Sequence, residues 1–240
     1  MQRRLALFQR DFTYAMIHDM KSPLNTILMG AHILNTGKLE EQAEKKKKYL
    51  QAISDECNHL LTLSNRVILL TQIEKDELQL HKETVVLEPL IDDLIEKFRL
   101  KTHKPVEFSK AFHHCNSVYA DAFCLREILS NLIDNAIKYS GESVQIKISS
   151  SASTDGYTHI SVTDNGMGIP LKEQGKIFEK FERASAVIRN RKEGASGFGL
   201  GLNYVLHVVE AHHGSVKLES IEGEYSKFTI NIPQHNGETA

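Results

Sequence analysis

A histidine with a carboxylate beside it, His18-Asp19, stands inside the apolar periodic segment Phe12 to Leu24, five residues ahead of Pro23. Proline has no N–H and crowds the carbonyl four residues back, here that of Asp19, so it normally counts against a helix. Two readings follow. Either the helix continues and bends at Pro23 beside a reactive imidazole, or it ends at Ser22 and His18 is an ordinary surface side chain.

Four further stretches carry residue types suited to chemistry. Asn131 and Asn135 are four apart and share a helix face, with Lys138 three further on and Tyr139 after it. Two amides and an ammonium on one face suit oxyanions and a hard cation such as Mg²⁺, which takes oxygen ligands; an ordinary polar helix face is the alternative. Asp164-Asn-Gly166-Met-Gly168-Ile169-Pro170 follows a strand. Its glycines allow close backbone approach, and its carboxylate could accept a hydrogen bond from an exocyclic amine such as that of adenine. Gly197-Phe198-Gly199-Leu200-Gly201-Leu202 opens a helix, where backbone N–H groups can hold phosphate. It lacks both the dinucleotide fingerprint and the Gly-Lys-Ser/Thr of a P-loop. In Ile177-Phe-Glu-Lys-Phe-Glu-Arg183, the aromatic residues Phe178 and Phe181 could anchor a following loop, and Arg183 could swing from its base onto a terminal phosphate.

The elements that must position these groups show in the periodicity. Ile17, Met20, Leu24, Ile27, Ala31 and Leu34 alternate steps of three and four, a coiled-coil-like seam that ends at the stop signal Asn35-Thr36-Gly37. A second helix over about 40–75 repeats the pattern through Leu50, Ile53, Cys57, Leu60, Ser64, Val67 and Thr71. One such hairpin has too little area to bury both stripes, so the first 75 residues are predicted to pair as a dimeric four-helix bundle. Lys45 to Lys48 read as a solvated helix face. Beyond Glu77 the pattern predicts strand material at Leu78–Val86 around a Lys82-Glu83 turn, a helix over 87–100, and short strands at 106–108 and 117–119. A helix capped by Asp121 follows, with strands over 144–149 and 157–162 joined at Asp155-Gly156. A short helix over 173–181, a loop over 184–196, a helix over 200–212 and a closing hairpin (216–220 and 227–232) complete an α+β sandwich, one mixed sheet with helices on one face.

Composition is that of an ordinary globular chain, with 41% apolar and 25% charged residues and a net charge of −2, which gives no strong field for nucleic acid. No apolar run approaches the roughly 20 residues of a membrane span. Three cysteines without metal-like spacing suit a reduced compartment.

Taken together, these stretches resemble the sensor histidine kinases of two-component signalling. His18 to Leu24 looks like the family's H box, Asn131 to Tyr139 its N box, Asp164 to Ile169 its G1 box, Ile177 to Arg183 its F box and Gly197 to Leu202 its G2 box; the ending from Gly214 to Pro233 follows its last hairpin. The resemblance covers roughly residues 8–233. It implies a dimerisation and histidine-phosphotransfer hairpin (1–76) and a catalytic ATP-binding domain of the Bergerat, or GHKL, fold (77–240). It makes His18 the phosphoacceptor, with Asp19 orienting its imidazole. Asn135 and Asn131 would hold Mg²⁺, Lys138 would contact phosphate and Tyr139 would line the nucleotide pocket. Asp164 would bind the adenine amine, with Gly166, Gly168 and Ile169 shaping that wall. Arg183 would approach the γ-phosphate, and Gly197, Phe198, Gly199, Leu200 and Gly201 would flank the triphosphate. The implied partners are a second copy of the chain and a response-regulator receiver domain. Ser22, four past the histidine, would position water if the protein also dephosphorylates that regulator. A cytoplasmic core is expected, with a sensor or membrane segment supplied by further residues.

Two positions depart from the family pattern: Asp19 where Glu is commoner, and Tyr225 where Gly is frequent, which puts the tightness of the last hairpin in question. The competing functions are an ATP-binding dimer scaffold that transfers no phosphate, and a Bergerat-type ATPase of the gyrase or chaperone kind.

Overall fold

The structure, a computed structural model, describes residues 20–37, 42–75, 77–102, 104–113, 115–178 and 200–234. They divide into two compact units, one ending at Glu74 and the other starting at Lys75.

In the first unit, helix α1 is described over 20–35 and runs unbroken through Pro23. It stops at Thr36, whose hydroxyl donates to Ile33 O (2.7 Å), and Gly37 takes the left-handed φ of 69°. Helix α2 spans Ala43–Glu74. Pro23, Gly30 and Leu69 are buried, and a Cβ on Gly30 would lie 3.0 Å from Ile53 Cγ1, so this glycine sets how closely α1 approaches α2. Leu24, Leu28, Met29, Leu50, Leu61 and Ile68 stay exposed in the single chain. The exposed row includes Leu24 and Leu50 of the predicted seams.

The second unit starts with β1 (Lys82–Val86), which pairs antiparallel with β3 (Ser117–Asp121). Lys82 and Glu83 are therefore strand residues, opposite Asp121 and Ala120, and not the turn that their polarity suggested. A two-stranded ribbon with one buried side chain on β1, Val85, has no apolar alternation to announce it. Helix α3 (Leu87–Lys101) follows directly. Its first N–H groups are capped from a distance by Asn116, through its carbonyl to Leu87 N (2.8 Å) and its Oδ1 to Glu88 N (3.1 Å).

The main sheet has the order β2-β4-β5-β7-β6, built from β2 (Val106–His113), β4 (Val144–Ala152), β5 (Tyr157–Asp164), β6 (Ser215–Ile221) and β7 (Tyr225–Pro233). The β2–β4 pair is parallel and the other three are antiparallel, which makes the sheet mixed as expected. Helices α3, α4 (Ala122–Lys138) and α6 (Leu200–Ala211), together with the single turn α5 (Leu171–Gln174), are the helical elements among the unit's described residues. Alternate strand residues Ile146, Ile148, Ile160, Val162, Phe228 and Ile230 bury against Leu125, Ile128, Leu129, Leu132, Val205 and Val208 of α4 and α6. Asp121 caps α4 as expected, its Oδ1 accepting from Cys124 N at 2.9 Å.

The closing hairpin is tight despite Tyr225, which begins β7 opposite Ile221. The left-handed residue of the turn is Gly223 (φ 85°), whose N–H donates to Met167 O at 2.7 Å. At the end of α6 the left-handed position falls on His213 (φ 62°). A non-glycine residue there costs on the order of 1–2 kcal/mol, so His213→Gly is expected to stabilise the second unit by about 1 kcal/mol. Urea melts against the parent chain measure this; an unchanged or lowered midpoint would sink the expectation.

Candidate functional site

The period of two along β5 places the key carboxylate. Thr158, Ile160 and Val162 face the helices, and Asp164, the strand's last residue, takes the next place on that apolar face. Asp164 is 7% exposed, and its Oδ1 accepts from Gly166 N at 2.9 Å. Burial raises its pKa to about 6, against the opposing pull of that N–H. The carboxylate is thus costly to ionise and keeps acceptor capacity for a further donor.

The chain leaving Asp164 is held from three sides. Met167 N donates to Tyr139 O (3.0 Å), at the end of α4. Gly166 lies so close that a Cβ there would sit 2.7 Å from both Tyr139 O and Asp164 Oδ1. Gly168, with φ 62°, faces Ile221 O, 1.9 Å from where a Cβ would be. Ile169 N donates to Ser220 Oγ (2.8 Å), and Gln174 Nε2 bridges Ile169 O and Ser220 O at 2.9 and 3.0 Å. Ser220 Oγ in turn donates to Tyr225 O at 2.8 Å, so the β6–β7 hairpin clasps the loop.

Helix α4 is the wall that this loop shares with α6. On it Asn131 is buried, its Nδ2 donating to Glu127 O (2.7 Å), while its Oδ1 faces Gly201, where a Cβ would lie 2.9 Å away. One turn on, Asn135 is half-buried, and its side chain has no hydrogen-bond partner among the described residues. Lys138 is exposed and paired with Asp134. Tyr139 is half-buried and closes the helix, its N–H donating to Asn135 O at 2.9 Å. The residues expected from sequence on α4, on the loop after β5 and at Gly201 thus meet around one helix. Leu200 begins α6. Ser22 is exposed on α1, its carbonyl accepting from Thr26 Oγ1 at 3.3 Å. His18, Asp19, Arg183, Gly197, Phe198 and Gly199 lie outside the described residues.

Two side chains enter that the sequence did not single out. Gln174 is the bridge already described. Asn203 on α6 is buried; its Nδ2 donates to Phe178 O (3.0 Å) and its Oδ1 has no partner among the described residues. Phe178 is fixed edge-on to Phe228, with ring centroids 6.3 Å apart. A single amide on a helix carries no periodic signal of what it will meet, which is why neither stood out.

Both units match known protein families. Residues 8–76 match the family described as His Kinase A (phospho-acceptor) domain, and residues 120–236 match the Histidine kinase-, DNA gyrase B-, and HSP90-like ATPase family. The chain belongs to the sensor histidine kinase family. It is 31% identical over 231 residues to the adaptive-response sensory kinase SasA of Crocosphaera subtropica, covering 93% of this chain and 59% of that protein. It is 28% identical over 234 residues to the sensor histidine kinase WalK of Bacillus subtilis, covering 97% of this chain and 38% of that protein. Among solved structures, full-length ShkA in complex with AMPPNP is similar with a TM-score of 0.66 and 27% identity, over 94% of this chain and 45% of that one. The chain therefore spans between about two-fifths and three-fifths of the length of these relatives. Among the described residues no helix is long and apolar enough to cross a membrane.

Proposed function

We propose that this chain binds ATP in its second unit, phosphorylates His18, and passes the phosphoryl group to an aspartate of a response-regulator receiver domain. The observation that carries the reading is Asp164, a carboxylate buried at a strand end with a spare acceptor, beside backbone that leaves no room for a side chain at Gly166 or Gly168. Such a group suits the exocyclic amine of adenine. The loop after β5 would then form the base-binding wall, and the start of α6 would face the phosphates.

His18, as a neutral imidazole, contributes a ring-nitrogen lone pair that forms a bond to the γ-phosphorus. The bond to the β–γ bridging oxygen breaks, and ADP leaves with its electron pair. Asp19 holds the proton on the other ring nitrogen and so orients the nucleophile. Lys138 and Arg183 offset charge on the transferring group. Asn135, whose half-buried carboxamide has no hydrogen-bond partner among the described residues, would hold Mg²⁺, with Asn131, its amide bonded to its own helix, as the second candidate ligand. When bound, Mg²⁺ neutralises phosphate charge. Tyr139 lines the pocket.

The partition at 76/77 into a phosphotransfer hairpin and a catalytic domain belongs to the same reading. The exposed apolar row on α1 and α2 supports a homodimeric bundle. Phosphatase action through Ser22, and work on the cytoplasmic side joined to a sensor or membrane segment, complete the proposal. Incubation with γ-labelled ATP tests the reaction. The chain should gain acid-labile, base-stable label, and His18→Gln should gain none. An unlabelled parent chain sinks the kinase reading, whereas label persisting in His18→Gln sinks the assignment of the acceptor.

A further inference from the structure

Helix α4 ends in an unusual way. Its last carbonyls need donors, and a left-handed glycine after the helix normally arranges them. Here the C-cap is Tyr139, with φ −99° and ψ 30°, and Gly141 is not left-handed. The donor comes instead from the α3–β2 connection. Lys104 Nζ sits among four acceptors of the helix end: Ile137 O, Ser140 Oγ (2.9 Å), Gly141 O (3.1 Å) and Ser140 O (3.3 Å). Ser140 Oγ also donates to Ile137 O at 2.9 Å, so the hydroxyl and the ammonium share that carbonyl. An ammonium at a helix C-terminus is favoured by the helix dipole as well.

The residue inside this clamp is Tyr139. Its carbonyl accepts the Met167 N–H and lies against Gly166, and Gly166 N holds Asp164 Oδ1. Contact therefore runs without a gap from Lys104 through the end of α4 to the loop that fixes the buried carboxylate. Lys104 itself bonds to none of Asn135, Lys138, Tyr139 or Asp164. Any effect it has on the site must pass through where Tyr139 is held.

We propose that Lys104 is a positioning residue for nucleotide binding: its ammonium pins the end of α4 so that Tyr139 O presents a fixed seat for Gly166 and Met167 and thereby aims Asp164. This rests on the nucleotide-site reading above. Side-chain packing does not require the charge, since a methionine spans the same volume. The clamp requires three N–H donors on one point, which is what a lysine supplies and a thioether does not.

Lys104→Met and Lys104→Ala in the full chain test the proposal, with AMPPNP and Mg²⁺ as the probe. Lys104→Met should bind the nucleotide about tenfold more weakly. Amide hydrogen exchange at Met167 should quicken at least tenfold, while that at Ile230, in the middle of β7, stays within twofold. Ethylammonium ions should restore much of the lost affinity to Lys104→Ala, by filling the cage, where tetramethylammonium at equal ionic strength does not. Affinity within twofold of the parent overturns the proposal. So does exchange that quickens equally at Met167 and Ile230, which would mark general loosening, and so does failure of ethylammonium to rescue. A parent chain that binds no nucleotide removes the functional reading and with it the effect on affinity. Hydrogen exchange at Met167 against Ile230 then still decides whether the clamp exists.

Discussion

Asp164→Asn is expected to bind adenine nucleotide roughly 10- to 100-fold more weakly than the parent chain and, at neutral pH, to be the more stable protein. The two signs have one cause. The carboxylate sits on the apolar face of β5, 7% exposed, and burial raises its pKa to about 6. Because the folded pKa lies above the unfolded value, this group favours the folded state below about pH 4, and that contribution is lost as pH rises through about 6. Above pH 6 the folded chain carries a buried ionised group at a cost on the order of 3 kcal/mol. Asparagine keeps an oxygen for Gly166 N and removes the charge. Its stability advantage should therefore approach 3 kcal/mol at pH 7.5 and fade toward pH 4. The ligand sees the reverse: a hydrogen bond to a charged acceptor is worth about 1.5–3 kcal/mol, and an amide can turn a donor toward the adenine amine. Affinity in the parent chain should also weaken as pH falls through about 6, and stay flat in the variant. Calorimetric titration of AMPPNP and urea melts, each at pH 5, 6 and 7.5, measure both. Equal affinities would remove Asp164 from the site, and equal stabilities would show that the ionised carboxylate is tolerated where it lies.

That carboxylate was legible in sequence because strand alternation is a local property. Reading Thr158, Ile160 and Val162 as one face puts Asp164 on it, and the glycines that follow mark the close approach. The Asn131–Asn135 spacing was legible for the same reason on a helix. Other features depend on partners far along the chain. Strand β2 runs to His113, well past the 106–108 segment that its apolar residues suggest, because its parallel pairing with β4 holds Lys110 and His113 in the ladder. Lys82 and Glu83 look like a turn until β3 is set beside them. Lys104 acts on residues 33 to 37 positions away, Gln174 on residues 5 and 46 away and Asn203 on one 25 away, and no period relates such pairs. Tyr225 misled in the other direction. Its place in the family pattern put the tightness of the hairpin in question, yet the turn needs its left-handed residue two positions earlier, where Gly223 stands.

The second large effect is expected at Gly168→Ala, and a neighbouring glycine provides its control. Two costs combine at Gly168. Its φ of 62° disfavours any side chain, by about 1–2 kcal/mol. In addition the new Cβ would lie 1.9 Å from Ile221 O and 2.7 Å from Ile221 C, so backbone must move. Overpacking of that kind typically adds about 1–3 kcal/mol. The strand it meets cannot yield freely, because Ile221 is paired with Tyr225 and its carbonyl already accepts from Glu224 N at 3.1 Å. The loop must give instead, and with it go Gly223 N–Met167 O and Ile169 N–Ser220 Oγ, the bonds that seat the wall beside Asp164. The second unit should lose about 2–5 kcal/mol and its nucleotide affinity should fall by more than tenfold. Gly156→Ala shares the left-handed φ (82°) but has no atom within 4 Å of the added methyl, so it should cost only about 1–2 kcal/mol and leave nucleotide binding unchanged. The difference between the two variants in urea melts isolates the collision from the dihedral. Equal losses would mean that the loop relaxes away from Ile221 at no cost, and the clasp between the β6–β7 hairpin and the Asp164 loop would then have no part in holding the site.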